Sequence, residues 1–270
     1  MEHFLDMIGQ IEINMDGYVE QFEKMLSNNY SFSSANDAIE KGFRFSPFNR
    51  GCNNFWEFRR NIRIDALVKK AYMQGVKITK EEFIYYLEYL SNILEIPRLS
   101  GPLYADIVNN SGIYQVLFRV LDEIHCKIIS TEQGHYIVNK NEKLTVATSI
   151  TKNVYDLDSA LYLYTHSSYK DNLVKKADVL CRIYKYIESV RAKVNQYGYS
   201  NLYDDISKLM DALDIRHSPN KKSTETIESM TKEELLEWYD QLFELCVSLI
   251  ILVDYSSKRK DIKELKGKLG

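Results

Sequence analysis

Residues that interrupt helices are scarce in this chain, with 11 Gly and 4 Pro among 270 positions, where typical usage is roughly 7% and 5%. Many-stranded β architectures, collagen-like repeats and flexible linkers all draw on these two residues, for a positive φ or a fixed one. Long helices are what remains. Hydrophobic residues at 45% and charged residues at 27% supply a core and a solvated surface, so the chain is expected to be globular. Its length suits one large domain or two of ordinary size.

Apolar spacing of three and four residues supports this along most of the chain. It predicts helices over Phe4–Leu26, Ala35–Lys41, Phe55–Gln74, Thr79–Leu94, Ile113–Ile124, Leu157–Tyr164, Val174–Val194, Leu202–Leu213 and Thr231–Leu252. Thr79 with Glu82, and Thr231 with Glu234, have capping-box spacing. The period changes over 127–150, where Ile128, Ile129, Tyr136–Val138 and the alternation Leu144, Val146, Thr148 read as a hairpin or three short strands. The expected fold class is mainly α, a helical bundle with a small antiparallel β-hairpin element near residues 127–150. Pro97, Gly101 and Pro102 suggest a boundary between an N-terminal helical region, 1–96, and a C-terminal region, 103–270.

Charge and cysteine usage exclude several classes. The formal net charge of −3 gives no chain-wide field for nucleic acid or anionic membrane, so such binding must use a local patch. Cys52, Cys126, Cys181 and Cys246 lack zinc-site spacing and suit free thiols in a reducing compartment. The acidic start, Met1 to Asp6, is unlike a secretion signal, and Cys246–Val253 is too short to span a membrane. A cytoplasmic protein without membrane association is expected. The abundance of Lys, Asn, Ile and Tyr suits an AT-rich bacterial genome. No glycine loop for phosphate, nucleophile elbow, metalloprotease motif or calcium loop occurs, so no cofactor and no metal are expected.

Two Arg/His pairs are candidates for catalysis. An Arg that neutralises phosphate and a His that moves a proton suffice for metal-independent attack by an RNA 2′-hydroxyl. Arg119 and His125 have five residues between them, within the four-to-six gap common in helical HEPN-type ribonucleases, but fall on different faces of a continuous helix. Arg216 and His217 are adjacent, in a break enforced by Pro219. Each pair has a plain alternative at a helix end, where an Arg or His answers the last carbonyls.

The string from Leu213 to Asn220, followed by Met230–Asp240, and upstream Ala160–Ser167 with the hairpin before it, resembles the C-terminal region of bacterial proteins linked to abortive phage infection. The resemblance spans roughly residues 113–265. It implies a helical, HEPN-like region and a phage-defence setting, with RNA cleavage as one activity. The adjacency of Arg216 and His217 departs from the spaced pair of that nuclease motif.

A local basic patch offers a different function. Trp56, Arg59, Arg60, Arg63, Lys69 and Lys70 fall within one expected helix, with Arg59, Arg63 and Lys70 along one face. Such a stripe suits the phosphate backbone of RNA or DNA, with Trp56 stacking on a base. Lys258, Arg259, Lys260, Lys263, Lys266 and Lys268 form a second cluster, read as a frayed tail or a phosphate-contacting extension. Tyr85, Tyr86, Tyr89, Tyr184 and Tyr186 are expected to pack in cores. The Leu235–Val253 helix, apolar around more than half its circumference, belongs at the centre of a bundle or against a second copy as a homodimer. The leading expectation is a phage-defence accessory or regulatory protein that binds nucleic acid or a protein partner. The alternative is a metal-independent HEPN-type ribonuclease, and the sequence leaves open whether the protein is an enzyme.

Overall fold

The computed structural model describes residues 13–30, 33–49, 51–73, 75–154, 157–215, 227 and 229–269. Their Cα positions divide into two compact units, Met1–Ile137 and Val138–Gly270. The structure is mainly helical with a small antiparallel hairpin. Its division differs from the boundary expected near Pro97 and Pro102. Those prolines instead open helical segments inside the first unit, Ile96–Ser100 and Pro102–Asn110, and the first packs on the helix Ala35–Phe43 so closely that a Cβ on Gly42 would lie 2.5 Å from the Ile96 carbonyl oxygen.

The first unit contains α1 (Met15–Ser27), a minimal β1–β2 ladder (Asn29–Tyr30 with Ser33–Ser34), α2 (Ala35–Phe43), α3 (Phe55–Asn61), α4 (Ile64–Ala71), α5 (Lys80–Ile93), α6 (Pro102–Asn110) and α7 (Ile113–Glu123). Val19, Phe22 and Leu26 of α1 meet Phe83, Tyr86, Leu87 and Leu90 of α5 in one core that also takes Ile39, Phe55, Ile64, Leu117 and Val120. Thr79 and Glu82 close the expected capping box on α5.

One expected helix is two. The span from Phe55 breaks at Ile62, and Arg63 takes the left-handed conformation at φ 62°. Its burial pattern explains the break. Phe55 and Arg59 are buried in α3, and Ile64, Leu67 and Ala71 in α4; on a continuous helix these sets would differ in direction by more than a third of a turn. The left-handed residue resets the phase, so both segments face the core.

The hairpin is β3 (Cys126–Thr131) and β4 (Gly134–Asn139), with the division between units falling inside β4. The third strand that Leu144, Val146 and Thr148 suggested is instead α8 (Glu142–Thr151). Asn141 caps it by accepting the Leu144 N–H, and the buried residues are Leu144, Ala147 and Thr151, at spacings of three and four, while Val146 is exposed. Alternation over three residues was outweighed by a cap and a helical burial period.

The second unit continues with α9 (Leu157–Leu163), α10 (Leu173–Ser189), α11 (Arg191–Gln196), α12 (Ser200–Ala212) and α13 (Lys232–Leu269). Leu242, Phe243, Cys246, Val247, Leu249, Ile250 and Val253 of α13 are buried within this unit, among α8, α10 and α12. The apolar face considered for homodimerisation is thus the axis of its own bundle. The C-terminal lysine cluster lies on the continuation of α13, so it is helix and not a frayed tail, and Lys258 and Lys260 pair with Asp254 and Glu264. No helix among the described residues is long and apolar enough to cross a membrane.

Candidate nucleic-acid interface

The basic patch of the sequence separates into residues that hold the fold and residues that face water. Arg59 is 3% exposed. It donates from Nη2 to Glu23 Oε2 at 3.0 Å and from Nε to Asp65 Oδ1 at 2.8 Å, and Tyr86 donates its hydroxyl to Glu23 Oε1 at 2.8 Å. Burial works against the guanidinium charge, but Tyr89, Glu23 and Asp65 around it outweigh burial and raise its pKa. Arg59 therefore belongs to a buried network and is withdrawn from any phosphate surface. Lys70 is engaged as well, at 2.7 Å from Glu82. Arg60, Arg63 and Lys69 are exposed and make no ion pair among the described residues. The break at Arg63 also removes the single-face alignment that a continuous helix would give Arg59, Arg63 and Lys70.

A groove of about 790 Å³ in the same unit is lined by Asp37, Glu40, Lys41, Arg44, Phe45, Leu99, Ser100 and Tyr104. Lys41, in the last turn of α2, has its Nζ 5.0 Å from the Tyr104 ring centroid, and Arg44, at the C-cap, places its guanidinium 4.5 Å from that of Phe45. The two acids on the same wall have internal duties. Asp37 completes the capping box of α2 with Ser34, and the Ser34 backbone N–H, then its hydroxyl, holds the carboxyl below its ordinary pKa. Glu40 accepts the Trp56 indole N–H at 3.2 Å, which ties α3 to the wall of the groove. Trp56 is 38% exposed, and Arg60, one turn further along α3, lies on the same side. Exposed cations and aromatic rings thus run from the groove along one flank of α3.

The opposite flank of α3 borders a smaller recess. Phe58 and Ile62 line it with Phe48, Tyr85, Glu88, Tyr89, Asn92, Ile93 and the hairpin residues Gln133, His135 and Tyr136, enclosing about 200 Å³.

The Arg119 and His125 pair does not converge on one cleft. Arg119 lies 3.8 Å from Glu123 one turn along α7, and Tyr18 donates to Glu123 at 2.7 Å. His125 sits beyond the helix in the left-handed conformation at φ 54°. It opens on a cleft of about 480 Å³ with Asp16, Lys77, Lys80 and Glu123, whose lining does not include Arg119. Arg216 and His217 lie outside the described residues.

No family model, curated protein or solved structure matches the chain. The function must be argued from these surfaces. No cluster of His, Cys, Asp and Glu among the described residues could hold a metal ion. All four cysteines are thiols outside any disulfide, with Cys126 and Cys246 buried.

Sequence reasoning found Trp56, Arg60, Arg63 and Lys69 but missed Lys41, Arg44, Phe45 and Tyr104. The spacing of Lys41 and Arg44 at the end of an expected helix was the available signal. The pairing of Lys41 with Tyr104, 63 residues away, had none.

Proposed function

We propose that the protein binds single-stranded nucleic acid through its first unit, as a non-catalytic accessory or regulatory component. The observation that carries this reading is the groove in which Lys41 and Arg44 each lie against an aromatic ring while Asp37 and Glu40 are occupied by internal hydrogen bonds. Cations track phosphates, and rings accept bases irrespective of sequence, which is the chemistry of single-strand binding. Trp56 and Arg60 extend the same surface. A bacterial phage-defence setting is part of the proposal and rests on the resemblance of residues 113–265 to abortive-infection proteins. Fluorescence anisotropy with labelled single-stranded RNA and DNA tests it. The double variant Lys41→Ala, Arg44→Ala is expected to bind at least tenfold more weakly with unchanged thermal stability, and equal binding would refute the assignment.

A second reading, metal-independent ribonuclease, is favoured by the exposure of His125 to a cleft that Lys77 and Lys80 also line. His125→Ala and His217→Ala are the variants that decide it. If neither abolishes an RNA cleavage activity of the protein, the Arg/His chemistry is excluded.

A further inference from the structure

The apolar side of α13 changes direction along the helix. Up to Val253 its buried residues, among them Leu242, Phe243, Cys246, Val247 and Ile250, face the bundle of the second unit. Beyond it the large apolar residues are Tyr255, Ile262 and Leu265, exposed at 61%, 54% and 57%. On a helix of 3.6 residues per turn these three point about 130° away from the buried set. Every residue over 258–268 is exposed, so none of the described residues covers the stripe. A helical stretch of that length is marginal on its own in water. A second helix laid along the stripe would bury it and steady the segment.

The spacing is that of a two-stranded coiled coil. With Tyr255 and Ile262 at successive a positions, Leu265 is a d residue, as is Ile251 one turn before Tyr255. Lys258 takes the d position between them, its Nζ 2.7 Å from Asp254. In this register Asp254 and Asp261 are g residues, and Arg259 and Lys266 are e residues. One rim of the stripe is thus acidic and the other basic, which identifies the partner. A parallel pair sets each g residue against the e residue of the following heptad in the other helix, so Asp254 meets Arg259 and Asp261 meets Lys266. An antiparallel pair sets g against g and e against e, which opposes like charges. Asp261, Arg259 and Lys266 make no ion pair among the described residues of a single chain.

We propose that residues 254–268 pair with the same segment of a second copy as a short parallel coiled coil. This interface goes beyond the strand-binding reading and does not depend on it. Two heptads with a lysine in the seam make a weak dimer, so sedimentation velocity of the full chain from micromolar to near-millimolar concentration tests it. The parent chain is expected to pass from monomer to dimer within that series. Ile262→Asp with Leu265→Asp, both at exposed positions, should abolish the dimer and leave thermal unfolding unchanged at concentrations where the parent is monomeric. Lys258→Leu should tighten association at least tenfold by completing the seam. Asp261→Lys should weaken it about tenfold, and Lys266→Asp added to that variant should restore it, because the attraction is then reversed in both copies. A monomer throughout the series, or a dimer that survives the double substitution at Ile262 and Leu265, would overturn the proposal. Tighter association of Asp261→Lys alone would show an antiparallel pair and overturn the parallel one.

Discussion

The side-chain amide of Asn92 on α5 holds both main-chain polar groups of His135 in β4, donating to its carbonyl at 2.8 Å and accepting its N–H at 2.9 Å. Its second amide hydrogen bonds the Glu88 carbonyl at 2.8 Å, so one residue fastens the tip of the hairpin to the helix beneath it. The approach is close enough that a Cβ on Gly134, at φ 129°, would fall 2.6 Å from Asn92 Oδ1. Asn92→Ala is expected to lower stability by about 1–3 kcal/mol, the cost of stranding half-buried backbone groups. Amide exchange at His135 should accelerate, and an unchanged exchange rate would contradict the role of the clamp.

The buried position of Arg59 makes a contrasting prediction for two neighbours. Glu23→Ala removes one carboxylate from Arg59 and the acceptor of Tyr86 together. Removing one partner of a buried pair costs roughly 3–5 kcal/mol, and denaturant unfolding should reveal a loss of that order. Arg60→Ala, on the exposed side of the same helix, should leave unfolding unchanged and weaken strand binding.

The conformation at Arg63 can be tested alone. A non-glycine residue in the left-handed region carries a steric cost of roughly 1–2 kcal/mol, partly offset by the extra chain entropy that glycine loses on folding. Arg63→Gly is expected to be neutral or to raise stability by up to about 1 kcal/mol, whereas Arg63→Val should lower it. A large loss in the glycine variant would contradict the left-handed turn between α3 and α4.

Acid should weaken the capping boxes. Asp37 is held below its ordinary pKa chiefly by the Ser34 N–H, and Glu82 by the Lys70 hydrogen bond and then by the Thr79 N–H. A depressed folded pKa contributes stability that is present above the unfolded carboxylate range, near pH 4, and is lost as pH falls through the lower folded value. Asp37→Asn and Glu82→Gln should therefore be less stable than the parent at pH 7, with the difference shrinking as the solution is acidified below pH 4. A difference that stays constant with pH would show that these carboxylates are not linked to folding.

What was legible in the sequence follows from the range of each interaction. Capping boxes at Thr79 and Thr231 depend on atoms three residues apart, and both form as expected. The apolar stripes of α5, α7 and α12 were visible because a helix repeats its own geometry. Arg59 looked like surface charge because neither its pairing with Glu23, thirty-six residues away, nor the change of phase at Arg63 leaves a mark in residue type. The groove was hidden for the same reason: α2 supplies its cations, and the turn and helix around Ser100 and Tyr104 supply the facing wall.

The central claim is that Lys41 and Arg44 contact the phosphates of a single strand. It is tested most directly by the salt dependence of binding. Each phosphate contact to a single strand contributes roughly 0.7 to the slope of log K against log salt. The double variant Lys41→Ala, Arg44→Ala should reduce the magnitude of that slope by about 1.4 relative to the parent chain. A slope identical in the two proteins would show that the groove does not touch the strand.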